Sequence, residues 1–147
     1  MIKEVTSIED ANICDELLTK LILDERKYNE AILENTIVKD YFSKTLNDEN
    51  SKLLAYYLND EIVGYILIKR TEPNIGLLDG LYVLEEHRHK KIAKELLSKA
   101  LEECKKLNIK YVDINVMKDN KIALQLYKEM GFNDFEIKLR KSLNNYK

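Results

Sequence analysis

The chain has 147 residues, 45% of them apolar, with 24 Lys and Arg against 26 Asp and Glu and a formal net charge of -2. That length holds one hydrophobic core, so residues 1–147 read as a single domain, and a slightly acidic chain excludes general nucleic-acid binding. No charged leader with an apolar stretch opens it and no run approaches ~18 apolar residues, so the expectation is a soluble cytoplasmic protein with no membrane partner.

Ile2 to Val5 forms a short strand, and Ser7 with Asp10 resembles a capping box that starts a helix carrying Ile13, Leu17, Leu18, Leu21 and Ile22. Val38, Tyr41, Phe42 and Leu46 give a second, shorter helical pattern. Three apolar, β-branched and aromatic stretches then follow, Leu53 to Leu58, Ile62 to Lys69 and Ile75 to Val83. The turns Asn59-Asp60 and Glu72-Pro73-Asn74 separate them, which predicts an antiparallel meander. Leu96, Leu97, Ala100, Leu101, Cys104 and Leu107 place one apolar stripe on a helix over about 91–107. Tyr111 to Val116 is a strand reached by a strand-helix-strand crossover, which makes it a parallel neighbour of the strand ending at Val83. Asn120 caps a helix with Ala123, Leu124, Tyr127 and Met130 that closes at Gly131, and a final strand is expected from Phe135 to about Leu143. The fold class is therefore α/β, a mostly antiparallel mixed sheet with one parallel pair and helices on both faces. Cys14 and Cys104 both fall in helices, which predicts free thiols in a reducing compartment.

Leu81-Tyr82-Val83 ends a strand, and a polar turn leads into a helix near Lys91. Arg88, Lys90, Lys91 and Lys94 gather there with His87 and His89, and no acid interrupts them from His87 to Lys94. Alone, this would be a solvated basic helix end. A helix start also offers unpaired N–H groups and the positive end of the macrodipole, which suit a pyrophosphate. Arg88-His89-Lys90-Lys91-Ile92-Ala93 follows the strand end, and Asn120, Ala123, Tyr127, Gly131 and Phe132 keep the spacing Asn-x-x-Ala-x-x-x-Tyr-x-x-x-Gly-Phe.

In these segments the chain resembles the GNAT superfamily of N-acyltransferases, over about Ile62 to Phe132. The family's coenzyme loop has the form Gln/Arg-x-x-Gly-x-Gly/Ala. Arg88 and Ala93 match it, and Lys91 stands at the usual glycine, where ordinary helical dihedrals would still present an N–H. The resemblance implies acetyl-CoA as co-substrate, between the strands that flank the crossover helix. The residues it implies are Leu81, Tyr82, Val83, Arg88, His89, Lys90, Lys91, Ile92, Ala93, Lys94, Asn120 and Tyr127. It also implies direct acetyl transfer to a primary amine, with no metal and no covalent enzyme intermediate.

Val83 N–H is the candidate donor to the oxyanion, worth about 3 kcal/mol. Tyr127 is the candidate partner of the thiolate leaving group, since a tyrosine of pKa ~10 keeps its proton beside a thiol of ~8.5. An alkylamine must lose a proton before it attacks. Asp79 matches an acidic position in members resembling diamine acetyltransferases, and strand alternation would place it on the face of Leu81 and Val83. Aspartate is by nature a weak base, so its expected role is water-mediated or electrostatic; the alternative is a bend with Gly80. Members resembling ribosomal-protein alanine acetyltransferases carry a glutamate where this chain has Asn115, which weakens a peptide-terminus reading. Asp24, Glu25, Glu30 and Glu34 are either an acceptor pocket for a cationic amine or a charged solvent face. His87-x-His89 lacks a third ligand nearby, so no metal site is expected. The acceptor is a small-molecule or peptide amine, and Tyr56, Tyr57 and Phe135 would permit a homodimer through sheet edges. A CoA-binding module or sensor with little catalysis is the alternative, motivated by Lys91.

Overall fold

The computed structural model describes residues 1–144. β1 (Ile2–Glu4) leads into α1 (Ile8–Asp24), a 3-10 turn (Glu25–Lys27) and the short α2 (Tyr41–Thr45). β2 (Ser51–Leu58), β3 (Glu61–Glu72) and β4 (Ile75–Val83) form the meander, followed by α3 (Ile92–Lys106), β5 (Tyr111–Ile114) and α4 (Lys121–Glu129). The sheet order is β1-β2-β3-β4-β5, antiparallel up to β4, with β4 and β5 parallel.

Local chemistry sets these boundaries. Ser7 Oγ accepts the Asp10 N–H at 3.1 Å and caps α1. The box is only half formed, because the Asp10 carboxylate accepts the Tyr57 hydroxyl at 2.8 Å instead of reaching back to the cap. Asn59 and Asp60 both adopt positive φ, 53° and 67°, the geometry a two-residue hairpin needs and that these residue types tolerate.

Two cores lie on opposite faces of the sheet. Beneath α1 and α2, Ala11, Cys14, Leu17 and Phe42 pack with Leu67, Tyr65 and Tyr82. Beneath α3 and α4, Leu96, Leu97, Ala100 and Cys104 pack with Ile66, Ile68, Leu78, Val83 and Tyr127. Leu96 and Leu97 are fully buried, and each such side chain contributes about 2 kcal/mol by leaving water. Both cysteines are free and buried.

Three expectations are corrected. First, residues 135–143 form no strand and are not paired to the sheet, and Phe135, Ile137, Leu139 and Leu143 are exposed. Alternation specifies a face and cannot specify a partner. Second, Tyr56 and Tyr57 are not edge residues, since β2 lies between β1 and β3. Third, β4 does not alternate regularly. Its register with β3 slips between Ile68↔Leu78 and Ile66↔Leu81, and Gly80 in the extra stretch has φ +92°, a glycine-type bulge. Leu81 and Val83 consequently pack toward α3, whereas Asp79 turns the other way and pairs with Lys69 at 3.1 Å.

Candidate functional site

β4 and β5 are paired only from Ile75↔Tyr111 to Leu78↔Ile114. β5 ends there, which leaves a gap in the ladder beside Leu81 to Val83, and Tyr127 of α4 packs in the same core as Val83. Leu84 donates to the Val63 carbonyl at 2.9 Å, so by alternation the N–H and C=O of Val83 turn outward, away from β3 and toward this gap. The Val83 carbonyl there accepts the Arg88 Nε–H at 2.9 Å. Tyr82 faces the opposite core and donates its hydroxyl to Asp24 at 3.4 Å.

α3 starts at the mouth of the gap. Its cap residue, Lys91, has φ +65° and supplies no side-chain cap, and His89 is also left-handed at φ +67°. This corrects the expectation of ordinary helical dihedrals at Lys91: the position has the backbone shape that favours glycine, at a cost of about 1 kcal/mol for a lysine. The first intrahelical bond runs from Glu95 N–H to the Lys91 carbonyl, so the N–H groups of Ile92, Ala93 and Lys94 are left for an anion. Ile92 itself is buried and Ala93 half-buried against the core, whereas Lys90, Lys91 and Lys94 are exposed. Arg88 is already engaged: besides Val83 it reaches Asp24 at 3.5 Å and lies over the Tyr82 ring at 5.1 Å. It ties the end of α1 to the end of β4. Lys90 Nζ lies 3.5 Å from His87 Nδ1.

The spacing from Asn120 to Phe132 is explained by α4. Asn120 Oδ1 accepts the Ala123 N–H at 3.3 Å and caps the helix. At the other end Phe132 N–H bonds to Tyr127 C=O and Gly131 N–H to Lys128 C=O, both at 3.0 Å, with Gly131 at φ +96°. This is a complete Schellman closure, and the Tyr127 and Phe132 rings meet edge-to-face at 6.2 Å to supply its hydrophobic contact. Tyr127 is thereby held rigidly in the core shared with Val83 and Ile92. Burial, and next the charge of Glu25, push its phenol up to about 12.

The acidic residues at the end of α1 separate. Glu30 and Glu34 are exposed, which fits a solvent face, and Asp24 is exposed but paired. Glu25 is half-buried, and its carboxyl is raised by that burial and by the Asp79 charge. Tyr65, on the same face as Asp79, was missed. Its sequence signal is a lone tyrosine within the otherwise aliphatic Ile62-Val63-Gly64-Tyr65-Ile66-Leu67-Ile68. Surface hollows around Arg70 and Leu107 and around Thr6 and Thr45 lie at the opposite end of the sheet from this gap.

A family model described as "Acetyltransferase (GNAT) family" matches residues 16–132. Streptothricin acetyltransferase from Escherichia coli is 27% identical over 94 residues, which cover 64% of this chain and 54% of that protein, so the chain spans about half the length of that relative. The crystal structure of a mutant BH1408 protein from Bacillus halodurans superposes with a TM-score of 0.84 at 18% identity, covering 98% of this chain and 99% of the other. The aminoglycoside N-acetyltransferase AAC(6')-Iy in complex with CoA superposes with a TM-score of 0.72 at 14% identity, covering 97% and 99%. At such identities the structural likeness speaks for the fold alone. Among the described residues no helix is long and apolar enough to cross a membrane.

Proposed function

Since the chain belongs to the acetyltransferase (GNAT) family, we propose that residues 1–147 act as one domain that transfers an acetyl group from acetyl-CoA to a primary amine by direct attack. The observation that carries this reading is the gap itself, where an outward backbone N–H at Val83 and a rigid, protonated phenol at Tyr127 flank the opening between parallel strands. Relatives named for streptothricin and aminoglycosides support an amine acceptor.

The residues fit the coenzyme as follows. The α3 N–H groups and Lys90, Lys91 and Lys94 hold the pyrophosphate, and the outward edge of Leu81 to Val83 pairs with the pantetheine arm. Asn120 contributes by capping α4, not by contact. Val83 N–H donates to the carbonyl oxygen as negative charge develops there, worth about 3 kcal/mol. Tyr127 donates a hydrogen bond to the departing sulfur. With its phenol near 12 against about 8.5 for a thiol, full proton transfer would be uphill by about 5 kcal/mol, so Tyr127 steadies the thiolate and keeps its proton. Asp79 acts electrostatically, because its carboxylate is engaged by Lys69 and lies on the α1 face.

Tyr127→Phe retains the ring contact with Phe132 and removes the hydroxyl. Its expected effect is a fall in kcat of about tenfold or more, with the acetyl-CoA Kd unchanged within about twofold. Comparable losses in both would make Tyr127 a structural residue and remove it from the mechanism.

A further inference from the structure

The sheet ends on an open edge at β5, and the same chain carries an unpaired strand-like arm. Val112, Ile114 and Val116 pack against the core under α3 and α4 but are only half-buried, whereas Tyr111, Asp113 and Asn115 alternate with them and are exposed. In the arm, residues 135–143, Phe135, Ile137 and Leu139 alternate with Glu136, Lys138 and Arg140. Those three apolar side chains are 84%, 85% and 87% exposed, and among the described residues no backbone-to-backbone hydrogen bond engages the arm. An open edge is a template for a further strand, and apolar side chains held in water gain from any face that covers them.

Within one chain the two do not meet. Asp134 is paired with Lys128 at 2.6 Å and Arg140 bonds to Asn29, and the arm tethered in this way does not pair with its own β5. The strand that covers β5 therefore comes from another molecule, and a second copy of the chain supplies one of matching pattern. β1, at the other edge of the sheet, offers only three residues.

We propose that the arm of a second copy adds to β5 as an antiparallel strand, and that two copies exchange arms to close a two-fold dimer. This goes beyond the transfer function and does not depend on it. Residues directly opposite in an antiparallel pair share a face. One register sets Phe135, Ile137 and Leu139 opposite Val116, Ile114 and Val112, so the arm's apolar face completes the half-covered core. The same register sets Lys138 opposite Asp113, two charges that have no ion pair in their own chain among the described residues, and Arg140 opposite the exposed ring of Tyr111. Sliding the arm by two residues one way brings Glu136 against Asp113, and the other way turns Lys141 toward the core beside Val112. Charge and apolar pattern therefore select one register. Two arms paired with each other would also match Glu136 with Lys138, but that ribbon alone would leave its apolar face in water.

The test is the mass of the full chain in solution by light scattering. A dimer is expected at about 100 µM and a monomer with its arm exposed at about 1 µM, where substitutions in the arm leave stability unchanged. Asp113→Lys and Lys138→Asp, both at exposed positions, should each be monomeric at about 100 µM, because each sets like charges opposite one another in both contacts. A 1:1 mixture of the two variants should be dimeric again. In that mixed dimer the two substituted positions meet in one contact and the two unsubstituted positions in the other, so both contacts are attractive. Restoration on mixing also shows that each variant is folded. A wild-type chain that stays monomeric at about 100 µM overturns the proposal. A dimer that Asp113→Lys leaves intact overturns the docking on β5 and sets the arms against each other. Single variants that lose the dimer and do not regain it on mixing overturn the exchange.

Discussion

On the flank of the gap that carries α3 and α4, each helix end is closed or shaped for a purpose: Asn120 caps α4, Gly131 ends it in a Schellman turn, and Lys91 holds a left-handed angle that leaves three N–H groups open. The flank that carries the end of α1 is built more loosely. Residues 28–40 contain no helix or strand, α2 has only five residues, and Leu33 and Ile37 are exposed. One flank presents ordered backbone geometry at capped helix ends. The other presents side chains on irregular backbone, where substitutions can accumulate without disturbing the core.

The largest expected difference between the flanks is in packing. Leu97→Ala in α3 should cost about 3–4 kcal/mol, since the side chain is fully buried, whereas Leu139→Ala in the exposed C-terminal segment should stay within about 0.5 kcal/mol. Urea unfolding of both variants checks this, and a large cost at Leu139 would show that segment to be packed in solution.

A smaller effect is electrostatic. Glu103, nearly buried at the far end of α3, accepts a 2.8 Å bond from Lys52 and a 3.3 Å bond from Lys106, which hold its carboxyl below the usual range. Its contribution is therefore present above the unfolded-state value and lost as pH falls through the depressed one. Glu103→Gln should cost about 1–2 kcal/mol at pH 7, and the gap to wild type should close as pH falls through the depressed Glu103 value. A pH-independent gap would assign the cost to packing. The smallest effect is a gain: Lys91→Gly should stabilise by about 1 kcal/mol by relieving the left-handed angle, read as a rise in midpoint with an unchanged slope in urea.

The same contrast governs what could be read from the sequence. The meander, α3 and the α4 motif were legible because their signals are local: turn pairs such as Asn59-Asp60, an apolar stripe at helical spacing, an asparagine cap and a closing glycine. The flank at the end of α1 was not, because its features depend on distant partners. Glu25 looks like Glu30 and Glu34 in sequence and differs only in what covers it. The slip at Asp79-Gly80 reverses the face of Asp79, and a lysine gives no sign that Lys91 must turn left-handed. Residues 135–143 have the strand alternation, yet no edge receives them.

The most direct test of the central claim is a calorimetric titration of the protein with acetyl-CoA at two salt concentrations. Micromolar affinity that weakens with added salt is the predicted result, since Lys90, Lys91, Lys94 and the α3 N–H groups are proposed to hold a pyrophosphate. Absence of binding at either salt concentration would contradict the account and withdraw the acetyltransferase function with it.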